Sequence, residues 1–244
     1  MRIIFITLRH VNRIEHERGR VTNGTTLRIL AFTDFHGDNE AFERAKQLIR
    51  SDKWNCVVVA GDIANYDLEL AERHLKELAG PGVPLFFVPG NMDNPGLSAW
   101  SGTDLVRPLH GKSARLGIAT LIGLGGSPPG LFSTPFQIPE ERAAQLLSQA
   151  LSGFEKGTLV LVSHCPPKDT KLDIVPSGEH VGSMAVRSFV EKAKPALVIS
   201  GHVHEARGID SISETTLVNT GPAHRHNYAD ITLENKAIVK LGLF

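Results

Sequence analysis

With 244 residues the chain is long enough to bury a large core as one α/β domain, and its 41% hydrophobic and 21% charged residues are ordinary for a globular protein. The 26 Lys and Arg side chains balance 26 Asp and Glu, so no whole-chain charge draws it to nucleic acid or to an anionic membrane surface. Its longest apolar stretch, 116–124, falls far short of the roughly 20 residues a membrane-spanning helix needs, and two cysteines, Cys56 and Cys165, make neither a disulfide framework nor a zinc knuckle.

The run Ile3-Ile4-Phe5-Ile6 has only Arg2 before it and no small-residue cleavage site behind it, so no secretory signal is expected and the cytoplasm is the default compartment. Residues 1–26 read as an N-terminal extension or extra edge strand, and 27–244 as a single domain. Apolar runs alternating with helix-like segments predict a strand at 27–33, a helix at 39–50, a strand at 56–60, a helix at 67–79 and a strand at 84–88, a βαβαβ unit. A strand at 118–124, a Gly/Ser/Pro loop at 125–135 and a helix at 139–151 beginning at Pro139 follow. The pattern then repeats as a strand at 158–163, a helix at 183–194 and a strand at 196–200. Short strands at 215–219, 228–233 and 237–241, joined by tight polar turns, predict an antiparallel finish.

In an open α/β sheet, ligands bind beyond the carboxyl ends of the strands. Five predicted strands here end in Asp34-x-His36, Gly61-Asp62, Gly90-Asn91-Met92-Asp93, His164 and Gly201-His202-Val203-His204. Any one of these fragments is weak evidence, because a lone Asp-x-His or His-x-His is more often a surface loop. Their joint appearance after successive strands points to one shared site. Two metal ions about 3.5 to 4 Å apart can hold the attacking and leaving oxygens of a displacement at phosphorus. Such a pair needs one shared anionic ligand plus neutral imidazole and oxygen donors, and Asp, His and Asn supply these. Glycine before Asp62, Asn91 and His202 allows a sharp turn and a close approach of the backbone.

These motifs resemble the calcineurin-like metallophosphoesterase superfamily, whose Asp-x-His, Gly-Asp, Gly-Asn-His-Asp/Glu, His and Gly-His-x-His pattern is matched across 27–204. Ser163-His164-Cys165-Pro166-Pro167, Gly182-Ser183 and Gly201-His202-Val203-His204-Glu205 are most similar to prokaryotic predicted phosphoesterases related to cyclic-nucleotide phosphodiesterases. The resemblance implies a four-layer α/β/β/α sandwich of two mixed β-sheets flanked by helices. It also implies a first metal ion held by Asp34, His36 and His204, a second held by Asn91, His164 and His202, and Asp62 bridging them. A small phosphate ester would be hydrolysed by attack of a hydroxide held between the ions. Oxygen and imidazole donors without a thiolate suit Mn2+, Fe2+/Fe3+ or Zn2+.

One position departs from the pattern. Met92 stands where the family usually has a histidine, and methionine cannot protonate a leaving group. Asp93, which would have oriented that histidine, is expected to fix the loop or Asn91 instead. Phosphoryl transfer rests largely on positioning and electrostatics, and a general acid contributes about 10² to 10⁴-fold, so activity on better leaving groups is expected to survive. Superfamily members that lack the histidine resemble phosphodiesterases more than monophosphatases, which favours a diester. Asp62, Asn91 and His180 are the expected catalytic residues, with His180 as substitute proton donor and His224 and His226 behind it; a loop-packing role accounts equally well for His180. Ser133, Thr134, Gln137 and the Pro128-Pro129 turn lie in a loop long enough to overhang the site and select substrate. The rival readings are a phosphomonoesterase or nucleotide pyrophosphatase, a nuclease, which the zero net charge disfavours, and a non-catalytic module, which seven intact ligand positions disfavour.

Overall fold

The structure, a computed structural model, describes residues 26–130, 132–234 and 236–244, so the expected N-terminal extension lies, apart from Thr26, outside the described residues. The βαβαβ unit forms as β1 (Leu27–Phe32), α1 (Asn39–Ser51), β2 (Cys56–Ala60), α2 (Leu68–Leu78) and β3 (Leu85–Val88), its strands parallel with Leu30 beside Val57 and Val57 beside Leu85. Next come β4 (Val106–Pro108), β5 (Ser113–Leu116), β6 (Ala119–Leu124), α3 (Glu140–Leu151), β7 (Thr158–Ser163), α4 (Met184–Ala193) and β8 (Leu197–Ser200). The chain ends with β9 (Gly208–Ile212), β10 (Thr215–Asn219), β11 (Asn227–Leu233) and β12 (Ala237–Leu243).

These strands make two six-stranded mixed sheets, ordered β12-β11-β1-β2-β3-β4 and β5-β6-β7-β8-β10-β9. Because neighbouring side chains on a strand point to opposite faces, each central strand feeds two cores. Leu30, Phe32, Val57, Val59, Leu85 and Phe87 pack outward with Phe42, Ile49, Leu75 and Leu78 of α1 and α2. Ile29, Ala31, Val58, Phe86 and Val88 point the other way and meet Leu121, Val160, Val162, Leu197 and Ile199 between the sheets. The outer face of the second sheet, with Ile122, Leu161 and Val198, is covered by Leu146, Leu147, Val186 and Val190 of α3 and α4. That gives the four layers that the resemblance implies. It also explains why the strands read as unbroken apolar runs, since both of their faces are covered.

The helices begin where local chemistry allows. Asp38 and Asp67 accept the amides of Ala41 and Leu70 at 3.0 Å, capping α1 and α2, and such caps are each worth about 1 kcal/mol. In α1 the buried Ala41, Phe42, Ala45 and Ile49 recur at the spacing of one helical face.

Two expectations are corrected. The C-terminal strands are antiparallel only in part: β11 and β12 pair antiparallel in the first sheet, with β11 also antiparallel to β1, whereas β10 joins the second sheet, parallel to β8 and antiparallel to β9. Strands β4, β5 and β9 have no counterpart among the predicted elements. Each is an edge strand, short and only partly buried, so it lacks the apolar run that marks the interior strands. Among the described residues no helix is long and apolar enough to cross a membrane.

Candidate metal centre

The loops after β1, β2, β3, β7 and β8 converge at one edge of the sandwich. Phe35 is fully buried and stacks on Phe42 of α1 with ring centres 4.0 Å apart, which anchors the first loop while Asp34 and His36 turn toward the site. Four of the seven predicted ligand residues, Asp34, His36, Asp62 and His202, have left-handed backbones, with φ of 54°, 52°, 51° and 68°. A non-glycine residue in a sparsely populated conformation costs roughly 1 to 3 kcal/mol, and surrounding structure has to impose it. Here the amides of Asp34, His36 and Gly37 donate to the carbonyls of Gly61, Asp62 and Ile63 at 2.8 to 2.9 Å, binding the first loop to the second.

The glycines are explained by crowding. A Cβ on Gly61 would strike His164 Nδ1, one on Gly90 would strike Asp62 Oδ1, and one on Gly201 would lie 2.6 Å from Asp34 Oδ2. Each glycine therefore makes room for a ligand side chain from another loop. A positive φ is needed only at Gly61, which has φ 96°.

Two groups of donor atoms result. Asp34 Oδ1 lies 3.4 Å from His204 Nε2 and 3.9 Å from His36 Nε2, and the two imidazole nitrogens are 3.3 Å apart. Asp62 Oδ2 lies between the groups, 3.8 Å from His36 Nε2 and 3.6 Å from His164 Nε2. Asn91 Oδ1 is 2.8 Å from His164 Nε2. The sets Asp34/His36/His204 and Asp34/Asp62/His164 each bring their ligand atoms within 4.8 Å of one another.

The remaining polar atoms of these residues are already engaged. His36 Nδ1 donates to Asn65 Oδ1 at 2.7 Å and His164 Nδ1 to the Ala60 carbonyl at 2.8 Å, so in their neutral forms both turn an Nε2 lone pair inward. Asp34 Oδ2 accepts the His202 amide at 3.1 Å and Asp62 Oδ1 the Met92 amide at 2.8 Å, which leaves the other oxygen of each carboxylate facing the site. Asp34 Oδ1 is buried with no hydrogen-bond partner. A buried acceptor of this kind, surrounded by further acceptors, fits a cation.

The carboxylates and imidazoles also shift one another's ionisation. Burial opposes ionisation of Asp34, but contact with His204 and the fields of His164 and His36 outweigh it and hold the carboxyl well below its usual range. Burial and the charge of Asp34 raise Asp62, with His164 and His36 offsetting only part of the effect. Burial and His164 push the His202 imidazole down to about 3, keeping it in the neutral form that binds metals.

Of the seven predicted ligands, six contribute side-chain atoms to these close contacts, and His202 adds its amide and a ring centred 5.0 Å from that of His164. His180 is placed differently: its Nδ1 lies 2.7 Å from Asp173 Oδ1, and its described side-chain contact is with that buried carboxylate rather than with the ligand set. Asp93 fixes the loops, accepting the amides of Ile63, Ala64 and Gly90 at 2.8 to 3.0 Å. Sequence reasoning missed Asn65, whose amide group also donates to the His36 carbonyl at 3.0 Å, and Asn219, which donates to the Val203 carbonyl at 2.8 Å and accepts the Gly221 amide at 3.0 Å. Asn219 carried a readable signal, since it ends a predicted strand. Asn65 in a polar turn carried none.

The profile of the calcineurin-like phosphoesterases matches residues 27–206. An uncharacterized protein of Methanocaldococcus jannaschii is 30% identical over 202 residues, covering 80% of this chain and 88% of its own length. A crystal structure from Thermus thermophilus shares the fold at TM-score 0.70 and 18% identity, covering 90% of this chain and 99% of that one. A novel archaeal phosphodiesterase does so at TM-score 0.53 and 14% identity, covering 89% and 100%. Taken with the gathered Asp, Asn and His side chains, the match over residues 27–206 places the chain in the calcineurin-like phosphoesterase family.

Proposed function

We propose that this phosphoesterase is a two-metal phosphodiesterase acting on small phosphate diesters, with residues 27–244 as its single domain. The observation that carries the reading is the chain of close contacts that joins Asp34 Oδ1, a buried carboxylate oxygen without a hydrogen-bond partner, to Asp62 Oδ2, Asn91 Oδ1 and the Nε2 atoms of His36, His164 and His204. Asp34, His36 and His204 would hold one ion and Asn91, His164 and His202 the other, with Asp62 shared between them. Mn2+, Fe2+/Fe3+ or Zn2+ bound there would supply positive charge for the phosphoryl oxygens and lower the pKa of the attacking water.

The diester preference rests on the resemblance of superfamily members that lack the histidine to phosphodiesterases, and the residue at that position here is Met92. Its amide steadies Asp62 at 2.8 Å, but its thioether has no proton to give a leaving alkoxide, which penalises poor leaving groups. His180 is the proposed substitute donor. Asp173 would hold it through Nδ1–H, and the donor role needs the doubly protonated ring, whose Nε2–H would pass to the leaving oxygen and leave a neutral imidazole. The likeness to the archaeal phosphodiesterase concerns the fold and adds nothing to substrate choice.

The loop after β6 is the proposed substrate selector. The Gly126 amide donates to the Pro89 carbonyl at 2.9 Å and the Phe136 amide to the Asn91 carbonyl at 3.0 Å, so the loop is fastened to the backbone that carries Asn91. It holds Phe132 82% exposed, an apolar surface suited to one ester substituent.

The test is hydrolysis of a bis-aryl phosphate diester beside the matching monoester, after chelation and return of Mn2+, with wild type and Asp62→Ala. Diester turnover that needs both the metal and Asp62 is expected. Monoester preference, or the absence of metal-dependent turnover, would overturn the proposal.

A further inference from the structure

His224 lies on the single 3-10 turn Ala223–Arg225 between β10 and β11. Its main-chain N–H donates to the Asp34 carbonyl at 3.3 Å and its Nδ1 donates to the same oxygen at 2.9 Å, while the Ala223 amide donates to the Thr33 carbonyl at 2.8 Å. The turn thus grips the chain where Asp34 adopts its left-handed backbone at φ 54°. The His224 ring also sits 5.3 Å, centre to centre, from each of the rings of His36 and His204, which are themselves 5.2 Å apart. The three imidazoles form a near-equilateral triangle, each tilted against its neighbours by 63° to 67°.

All three groups proposed to hold the first ion are therefore in contact with one residue that is not itself among the close donor sets. We infer that His224 is a positioning residue for the first metal position. Through Nδ1 it fixes the backbone that aims Asp34, and through its ring it fixes the separation of His36 and His204. Ligands held in place before the ion arrives lose less conformational freedom on binding, and loss of such support typically costs about 10 to 100-fold in metal affinity. The inference rests on the metal-centre reading and adds a residue that the ligand pattern does not contain.

Mn2+ titration followed by electron paramagnetic resonance tests it, using the metal-free protein with thermal melts as a folding control. Wild type is expected to fill two positions and give the signal of a coupled pair. In His224→Ala the first position should weaken by about 10 to 100-fold and the coupled signal give way to that of isolated Mn2+. His224→Asn places a nitrogen donor where Nδ1 stood and should recover most of the affinity, whereas His224→Gln offers its nitrogen nearer the place of Nε2 and should not. Rescue by Gln and not by Asn would make Nε2 the working atom and overturn the inference, as would wild-type affinity in the Ala variant. Should the Ala variant fail to fold, the contrast between Asn and Gln still decides. Wild type that binds no Mn2+ at all would overturn the metal-centre reading itself, which separates the two failures.

Discussion

The two halves of the proposed metal centre differ in depth. In the shallow half the His36 and His204 side chains are 22% and 24% exposed around a buried Asp34, whereas in the deep half His164 is 0% exposed and Asn91 is buried, with His202 half-buried. The shallow half relies on polar side chains that are not ligands themselves, Asn65 of the loop after β2 on His36 and His224 on Asp34. The deep half has backbone support in the Ala60 carbonyl on His164, and the shared Asp62 takes the Met92 amide. Water reaches His36 and His204 more easily than His164 and competes there with the imidazoles. An ion held in the shallow half would exchange faster than one held in the deep half, and substrate would enter from the shallow side.

The largest expected effect is loss of the group common to both halves. Asp62→Ala should lower diester hydrolysis by at least about 10³-fold, since an ion's charge stabilisation is worth several kcal/mol, and should leave at most one tightly held metal in elemental analysis. Equal loss of both ions during graded chelation would break the distinction between the halves; the expected course is a first ion lost early and a second retained longer. Asn65→Ala should weaken Mn2+ binding by about 10 to 100-fold at the shallow position and leave the deep one unchanged, as read by titration.

A pH effect comes from the support of the deep half. His110 accepts the Gly125 amide through Nδ1 at 2.9 Å, and burial, with Arg142 and Lys112 adding to it, pushes its imidazole down to about 4. Its ring packs 5.3 Å from that of Phe136, whose amide holds the Asn91 carbonyl. A His with a lowered folded pKa binds fewer protons when folded than when unfolded, so the unfolded state takes up the extra proton as pH falls. Its contribution is fully present above about 6.5 and is lost as pH falls toward about 4. Denaturant melts of metal-free protein should show this slope, and His110→Asn should flatten it. The smallest effect is expected at Phe132, which is 82% exposed: Phe132→Ala should raise KM for aryl diesters a few-fold, with kcat and thermal stability nearly unchanged.

The interior of the fold was legible in the sequence because β1, β2, β3, β6, β7 and β8 are covered on both faces, which forces continuous apolar runs. Strands β4, β5 and β9 escaped because an edge strand can meet its neighbours with one face and its backbone, as Val-Arg-Pro in β4 does. The gathering of the ligand motifs was legible for a related reason, since parallel strands deliver their C-terminal loops to one edge. The glycine positions were also readable, although their cause was not: at Gly90 and Gly201 the constraint is a side chain from a distant loop, not a left-handed backbone. Asn65 and the grip of His224 on Asp34 were illegible because they join residues 29 and 190 positions from their partners. Nothing in a local pattern records such a contact.

The most direct test of the account is anomalous diffraction from a crystal grown with Mn2+, collected at the manganese absorption edge. Two peaks are predicted, one among Asp34, His36 and His204 and one among Asn91, His164 and His202, with Asp62 reaching both. A single peak, or Mn2+ bound away from Asp62, would contradict it.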